Sequence, residues 1–369
     1  MGVVVSILIT QLVAARDVAA WRSYVNVVAT TGRSVGGPLG GWLADTVGWR
    51  WSFIGQGPIM MGAFALVAYG LDSPEPEEAP KGSTRSKLGR IDFLGAFLIT
   101  TTIITFILAV DLPTQGFSWT SPVVVSSLSV AITLGAAFFY YEGKYAAEPI
   151  YPPFLLVQRN VYTSYLGIGL ATASQVAMMY SVPLYFQITQ GASNTKAGAH
   201  LVPAVVGNTF GALGAGLYIK KTGRYKNLTI LAALSAASAY LMLILTWHGK
   251  TTFLESLAII PGGFGSGIAT ASTFIGLTSN LSRKDIAVGT SGLYLMASIG
   301  VVIGISLSSS IQTASLKHAL EAQLTGPEGR KIIENVLSDV EYVKKLTGSV
   351  KEIVVNSYVL SLEHSHGES

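Results

Sequence analysis

Few side chains could carry chemistry inside the long apolar stretches of this chain, and Arg33 is the sharpest of them. It lies about midway along an apolar run from about Val25 to Leu43. A charge there costs roughly 2.5–3.5 kcal/mol on insertion scales and normally faces a cavity or a partner. The chemistry it offers is electrostatic: it orients an anionic group such as a carboxylate, or pairs with a carboxylate elsewhere. A structural ion pair, or a side chain reaching back to the interface, explains the same residue. His200 opens another apolar stretch. An imidazole with an ordinary pKa of about 6.5 suits a proton relay between compartments of different pH, although a helix end needing a hydrogen bond explains it too. Gln175, Asn208, Thr209 and Tyr294 are polar positions within apolar stretches. They either line a cavity near the bilayer midplane or hydrogen-bond from helix to helix. Asp92 begins a stretch, where a carboxylate complements a helix N-terminus; that structural role outweighs any contact with substrate.

What is missing narrows the chemistry further. No Asp or Glu occupies the centre of an apolar stretch, since Asp111 and Glu255 sit at ends. The chain has no cysteine, so disulfides and Cys-bound metals are excluded. There is no metal-ligand spacing, no phosphate loop and no nucleophile–base pairing, so neither an enzyme nor a cofactor or metal site is expected. Gly262-Gly263-Phe264-Gly265-Ser266-Gly267 falls within an apolar stretch, where helix packing explains it better than nucleotide binding. The net charge is +4, but no nucleic-acid motif accompanies it.

The elements that must position these residues are membrane helices. Half of the residues are hydrophobic, only 12% are charged and the mean hydropathy is +0.50, against about 25% charged in soluble domains. The apolar residues come in blocks of roughly 20, the length that crosses a bilayer as helix. The chain therefore reads as an all-α, polytopic membrane protein. Full spans are predicted at about 25–43, 52–71, 91–110, 122–141, 161–181, 198–219, 228–247, 254–277 and 286–311, which makes nine. Met1 to Ala15 lacks a basic n-region, so it reads as half of a transmembrane helix rather than a signal peptide. The first six residues also fit an N-myristoylation pattern, which a polytopic protein has no need of.

Spans alternate sides, and cytoplasmic loops collect Lys and Arg. With this count one side receives fourteen: Arg16, Arg22, Lys81, Arg85, Lys87, Arg90, Lys144, Arg159, Lys220, Lys221, Arg224, Lys226, Arg283 and Lys284. The other receives Arg50, Lys196 and Lys250. The first side is therefore assigned to the cytoplasm. Two glycosylation sequons, at Asn227 and Asn280, fall on it and are not expected to be used. Residues Lys317 to Leu362 read as short amphipathic helices with a break at Gly326-Pro327.

Within the first full span, Gly32, Gly36 and Gly40 recur at i, i+4 and i+8, and Gly37 and Gly41 widen the stripe. Such stripes let helix backbones approach closely in lipid. Pro38 removes the hydrogen bond to the Ser34 carbonyl and bends the helix. This segment resembles the glycine-proline signature in the fifth helix of major facilitator superfamily antiporters. The usual G-x3-G-P-x2-G-G has its proline one residue earlier, where this chain has Gly37. Gly48-Trp49-Arg50-Trp51-Ser52-Phe53 fits the same pattern. So do Arg90-Ile91-Asp92-Phe93-Leu94-Gly95, Glu148-Pro149-Ile150-Tyr151-Pro152, Ala199-His200-Leu201-Val202-Pro203 and Lys221-Thr222-Gly223-Arg224-Tyr225. Together these are similar to the fourteen-helix drug:proton antiporter branch, most of all fungal vacuolar basic amino acid transporters.

The resemblance implies a partial major facilitator fold of about nine helices plus an N-terminal stub. Residues 1–71 would be the remnant of the N-terminal bundle, helices four to six, and 72–90 a cytoplasmic linker. Residues 91–141 would be two extra linker helices and 142–160 a cytoplasmic loop. The C-terminal bundle, helices nine to thirteen, would fill 161–311, and 312–369 would be an amphipathic lumenal tail. The function implied is proton-coupled antiport of basic amino acids or drug-like cations by alternating access. The vacuolar membrane is the expected location, with the plasma membrane as the alternative. Partners would be the lipid bilayer, a small-molecule substrate and protons. In that branch the intramembrane acid lies in helix one, which this chain lacks. The competing expectation is therefore a truncated chain that does not transport by itself and at most associates with a full-length relative.

Overall fold

The computed structural model describes residues 2–70 and 92–368, apart from positions 15, 116, 147–148, 250, 253, 280, 283–284 and 339. The linker expected at 72–90 lies outside the described residues. Everything regular in them is helix. In chain order the α-helices are α1 (Gly2–Leu12), α2 (Val18–Thr46), α3 (Trp49–Ile54), α4 (Gln56–Gly70), α5 (Phe93–Asp111), α6 (Pro122–Lys144), α7 (Pro153–Val157) and α8 (Arg159–Gln190). They continue with α9 (Asn194–Ala199), α10 (Val202–Thr222), α11 (Lys226–Thr246), α12 (Ile260–Thr278), α13 (Ile286–Gln323), α14 (Gly326–Ser338), α15 (Val340–Lys345) and α16 (Gly348–Glu368).

Local chemistry sets several boundaries. Asp92 caps α5, its Oδ1 accepting the Gly95 N–H at 2.8 Å. Ser121 caps α6, with Pro122 at the first helical position, where its missing N–H costs nothing. Gly191 and Gly223 end α8 and α10 at positive φ, 60° and 68°, which only glycine adopts freely. Lys220 and Lys221 lie in the last turn of α10, where cations complement the carbonyl end.

The nine stretches expected to span the bilayer all fold as helix, with the boundaries shifted. Among the described residues, six helical segments are long and apolar enough to cross a membrane: α5, α6, 195–222, α11, 255–278 and α13. The 29-residue α2 and 32-residue α8 are long enough, but their polar and charged residues, Arg22 and Arg33 in α2 among them, lower their hydropathy. The expected span at 52–71 is divided at Gly55 into α3 and α4. The span at 286–311 does not stop there: α13 runs 38 residues to Gln323. The chain then breaks at Leu324-Thr325, just ahead of the expected Gly-Pro, and Gly326 takes φ 87°.

The tightest packing joins α10 to α12, and small residues cause it. A Cβ on Gly263 would run into the Ala204 carbonyl, one on Gly207 into the Ile260 carbonyl, and one on Gly267 into the Asn208 carbonyl. Gly300 and Gly304 of α13 abut the Gly169 and Ala173 carbonyls of α8 in the same way. Lipid offers helices no hydrophobic drive to associate, so such close backbone contact supplies the attraction. Of the first glycine stripe only Gly32 and Gly36 have described surroundings, and these two are open. A Cβ on Gly32 or Gly36 would meet nothing within 4 Å, because α2 lays its other faces on α10 and α12. Likewise α4 has no buried residue, and Tyr69 is 93% exposed.

Beyond the apolar slab, α13 carries Leu316 and Leu320 into a cluster with Ile333, Val336, Val354 and Tyr358 of the tail helices. The Tyr358 hydroxyl donates to the Val336 carbonyl at 3.1 Å. The α16 helix packs along α13, α11 and α8. At the other end of α6, Glu142 is only 3% exposed. Its carboxylate accepts the N–H groups of Ile150 and Tyr151 at 3.2 and 3.4 Å, holding the connection to α7 in place.

Candidate functional site

Two polar features cross the helix bundle. The first is a ladder along the face of α2 that meets α10, α12, α13 and α1. Arg22, Asn26 and Thr30 recur every four residues, so one face of α2 presents all three. The Asn26 Nδ2 donates to Asn208 Oδ1 at 3.0 Å, and the Thr30 hydroxyl donates to the same oxygen at 3.2 Å. Asn208, 2% exposed on α10, passes the chain on by donating from Nδ2 to the Ser266 hydroxyl of α12 at 3.3 Å.

Toward the start of α2 the ladder ends in a cation. The Arg22 guanidinium lies 3.4 Å from the ring centroid of Phe274, within cation–π range. Its Nη1 donates to the Ser6 hydroxyl of α1 at 2.5 Å. Ser6 in turn shares a 2.9 Å hydrogen bond with the Tyr294 hydroxyl of α13. The Arg22 Nε is buried without a hydrogen-bond partner. One turn earlier Asp17 makes a 2.8 Å ion pair with Lys220 of α10. The hydrogen bond from Lys220 holds the Asp17 carboxyl below its usual range, with Lys220 and Arg16 adding charge attraction.

The second feature is a cavity of about 800 Å³ among α8, α11, α12 and α13. Small residues such as Gly167, Ala171, Ala173, Ala232, Ala236, Gly265, Ala269 and Gly304 line it together with Leu170, Met178, Leu241, Ile244, Ile303, Leu307 and Ile311. Ser174, Gln175, Thr229, Tyr240, Ser266, Thr273 and Ser308 supply its polar points, and Ser266, which also accepts from Asn208 in the α2 ladder, joins the two features. The Tyr240 hydroxyl is already committed, donating to the Ser174 carbonyl at 2.5 Å. No Asp, Glu, Lys or Arg is among its lining residues.

The structure thus disperses the residues picked out from sequence. Gln175 lines the cavity. Asn208 and Tyr294 belong to the α2 ladder, which meets the cavity wall at Ser266. Thr209 bonds back to the Val205 carbonyl of its own helix at 3.0 Å. His200 stands apart from both features: its ring stacks on Phe186 at 3.5 Å, and Nδ1 meets the Ser256 hydroxyl at 2.9 Å. Arg33, Gly37, Pro38, Gly40 and Gly41 all fall within α2, and their side-chain surroundings lie outside the described residues. Among the described residues no group of three or more His, Cys, Asp or Glu could hold a metal ion.

The main correction concerns Arg22, which the expected span at 25–43 leaves outside the helix, among the loop charges. It sits instead on the second turn of α2, packed between α12 and α1, because α2 begins at Val18. The Arg22-Asn26-Thr30 spacing was the available signal. Ser6 and Phe274 carried none.

Over residues 1–305 the chain matches the family described as Major Facilitator Superfamily. It is 32% identical over 362 residues to "Multidrug resistance protein fnx1" of Schizosaccharomyces pombe, covering 97% of this chain and 68% of that one. It is 30% identical over 369 residues to "Vacuolar membrane amino acid uptake transporter fnx2" of the same organism, covering 99% and 63%. A third relative is "Vacuolar basic amino acid transporter 2" of Saccharomyces cerevisiae, 28% identical over 360 residues, covering 94% and 75%. The chain therefore spans about two thirds of the length of the first two.

Proposed function

The chain belongs to the major facilitator superfamily, and from that premise we propose that its helices serve proton-coupled antiport of small solutes, basic amino acids or drug-like cations, by alternating access. The observation that carries this reading is the polar ladder between α2 and α10–α12. Alternating access rocks one group of helices against another around a site at their interface. Beside the apolar patch at Ala19, this seam joins α2 to its neighbours through exchangeable hydrogen bonds and a cation. The two kinds of solute in the proposal are those in the names of the relatives, and the vacuolar membrane is proposed on the same basis.

A second reading, that the chain acts only with further helices supplied by a full-length relative, draws on the outer face of α2 and on α4. Gly32 and Gly36 present a smooth stripe with nothing packed on it, and α4 buries no residue. Reconstitution into vesicles with an imposed pH gradient separates the readings. Accumulation of lysine, arginine or a drug cation that saturates and collapses with a protonophore, from the chain by itself, supports self-sufficient antiport. We expect accumulation only when a full-length relative is co-reconstituted, above the level the relative gives by itself. Absence of any increment in either format would sink the transport reading.

A further inference from the structure

We propose that Arg22 is a carboxylate-binding residue, and that the junction of α1, α2, α12 and α13 receives a small carboxylate-bearing solute. A guanidinium held away from water is costly unless it is paired, and its natural partner is a carboxylate. Among the described residues none pairs with it. Asp17, one turn away, is committed to Lys220 at 2.8 Å, and Asp285, ahead of α13, accepts from the Ser282 hydroxyl at 2.6 Å. What Arg22 does have is neutral support: the Phe274 ring at 3.4 Å, the Ser6 hydroxyl, and the Tyr294 hydroxyl beside it, which is also tied to Ser6.

That arrangement fixes the plane of the guanidinium while leaving Nε, a donor on its edge, without a partner. Ring stacking holds one face, and Nη1 is anchored on Ser6. A carboxylate approaching the Nε edge would complete the two-pronged geometry that distinguishes arginine from lysine. Ser23, Asn26, Ala212, Gly267 and Thr270 close around the residue and leave no room for a water, so an anion enters only when α2 moves off α10 and α12. That is the motion alternating access requires, and to that extent the inference rests on the transport reading. It also refines it: the site selects for the acid end of a solute, which a simple drug cation lacks. The role first considered for Arg33, orienting a carboxylate, is thereby assigned to Arg22.

Binding can be tested without transport, on the purified full chain in nanodiscs, by calorimetry with four probes: acetate, L-lysine, L-lysine methyl ester and cadaverine. Acetate and lysine should bind, whereas the ester and the decarboxylated diamine should bind at least about tenfold more weakly, the loss expected when a charged hydrogen-bond pair disappears. Arg22→Gln should abolish the preference for lysine over its ester. Arg22→Lys, which keeps the charge without the fork, should retain part of it. Should both variants fail to fold, the wild-type comparison of lysine with its ester still decides. Equal affinities for the two, no binding of either carboxylate, or an undiminished preference in Arg22→Gln would overturn the proposal. Binding of acetate and lysine through Arg22 in a protein that transports nothing, in either format above, would leave the site standing and remove the transport reading.

Discussion

Replacing Gly263 by alanine tests the close approach of α10 and α12 more directly than any other change. The new methyl carbon would have to occupy the position of the Ala204 carbonyl, and Ala204 lies on the backbone of a neighbouring helix. No side-chain rotation relieves such a clash; the two helices must separate. Overpacking of this kind costs about 1–3 kcal/mol, and a clash with backbone belongs at the upper end. Against it stands the intrinsic gain of alanine over glycine inside a helix, about 1 kcal/mol. The net expectation is a loss of about 2 kcal/mol, or roughly 30-fold in the folding equilibrium at about 1.4 kcal/mol per tenfold. Gly36→Ala supplies the control. It meets open space, so it should be neutral or stabilising by up to about 1 kcal/mol. Equilibrium unfolding in mild detergent, read by near-ultraviolet circular dichroism, measures both. A Gly263→Ala protein as stable as wild type, or a Gly36→Ala protein that is clearly weaker, would refute the packing argument.

Other expectations follow from the polar seam and the charge distribution. Truncating Asn208 to alanine removes the shared acceptor of Asn26 and Thr30; it should cost about 1–3 kcal/mol, and a double-mutant cycle with Asn26→Ala should be clearly non-additive. Additive losses would mean that the ladder is not a unit. The Asp17 carboxyl is held low by its hydrogen bond to Lys220, so its contribution is present above the ordinary carboxylate value of 3.8 and fades as the pH falls through the lowered folded value. Between pH 7 and pH 3 the wild type should therefore lose more thermal stability than Asp17→Asn, and parallel profiles would contradict this. The chain has no cysteine, so single cysteines at Trp119 and Arg224 report topology cleanly. They should label from opposite sides of the membrane, Arg224 from the cytoplasm; labelling from one side would break the alternation.

The helical class and the places of the long apolar elements could be read from sequence because hydropathy registers the solvent directly. A run of about 20 apolar residues has few alternatives in lipid. Helix ends were less legible. The extension of α13 past Ile311 is amphipathic and packs on the tail, so no apolar block marks it. Side-chain partnerships were the least legible. Asn208 and Tyr294 were recognisable as polar residues in apolar surroundings, but their partners Asn26 and Ser6 lie 182 and 288 residues away. Nothing in local composition encodes such a pairing. Arg22 was misplaced for a related reason. Its neighbours Arg16 and Asp17 are polar enough to suggest a loop, and the helix that begins at Val18 becomes evident only through its packing on α10.

The length of α13 has a mechanical consequence. Its 38 residues make a rod of about 57 Å, whereas the hydrocarbon layer is about 30 Å thick. Tyr294, hydrogen-bonded to Ser6 beside Arg22, sits two turns from one end of the rod, and Leu316 and Leu320 grip the tail helices near the other. Nothing but continuous helix lies between them. A tilt of the rod by about 10° about its membrane section would sweep the projecting tip by about 5 Å at 1.5 Å rise per residue. The tail helices clamped to that tip would be drawn against α8 and α11, on which α16 also rests. An event at the Arg22 end would thus be displayed on the opposite side of the bilayer as a displaced surface, a pointer that an antibody or a fluorophore on Tyr342 could read.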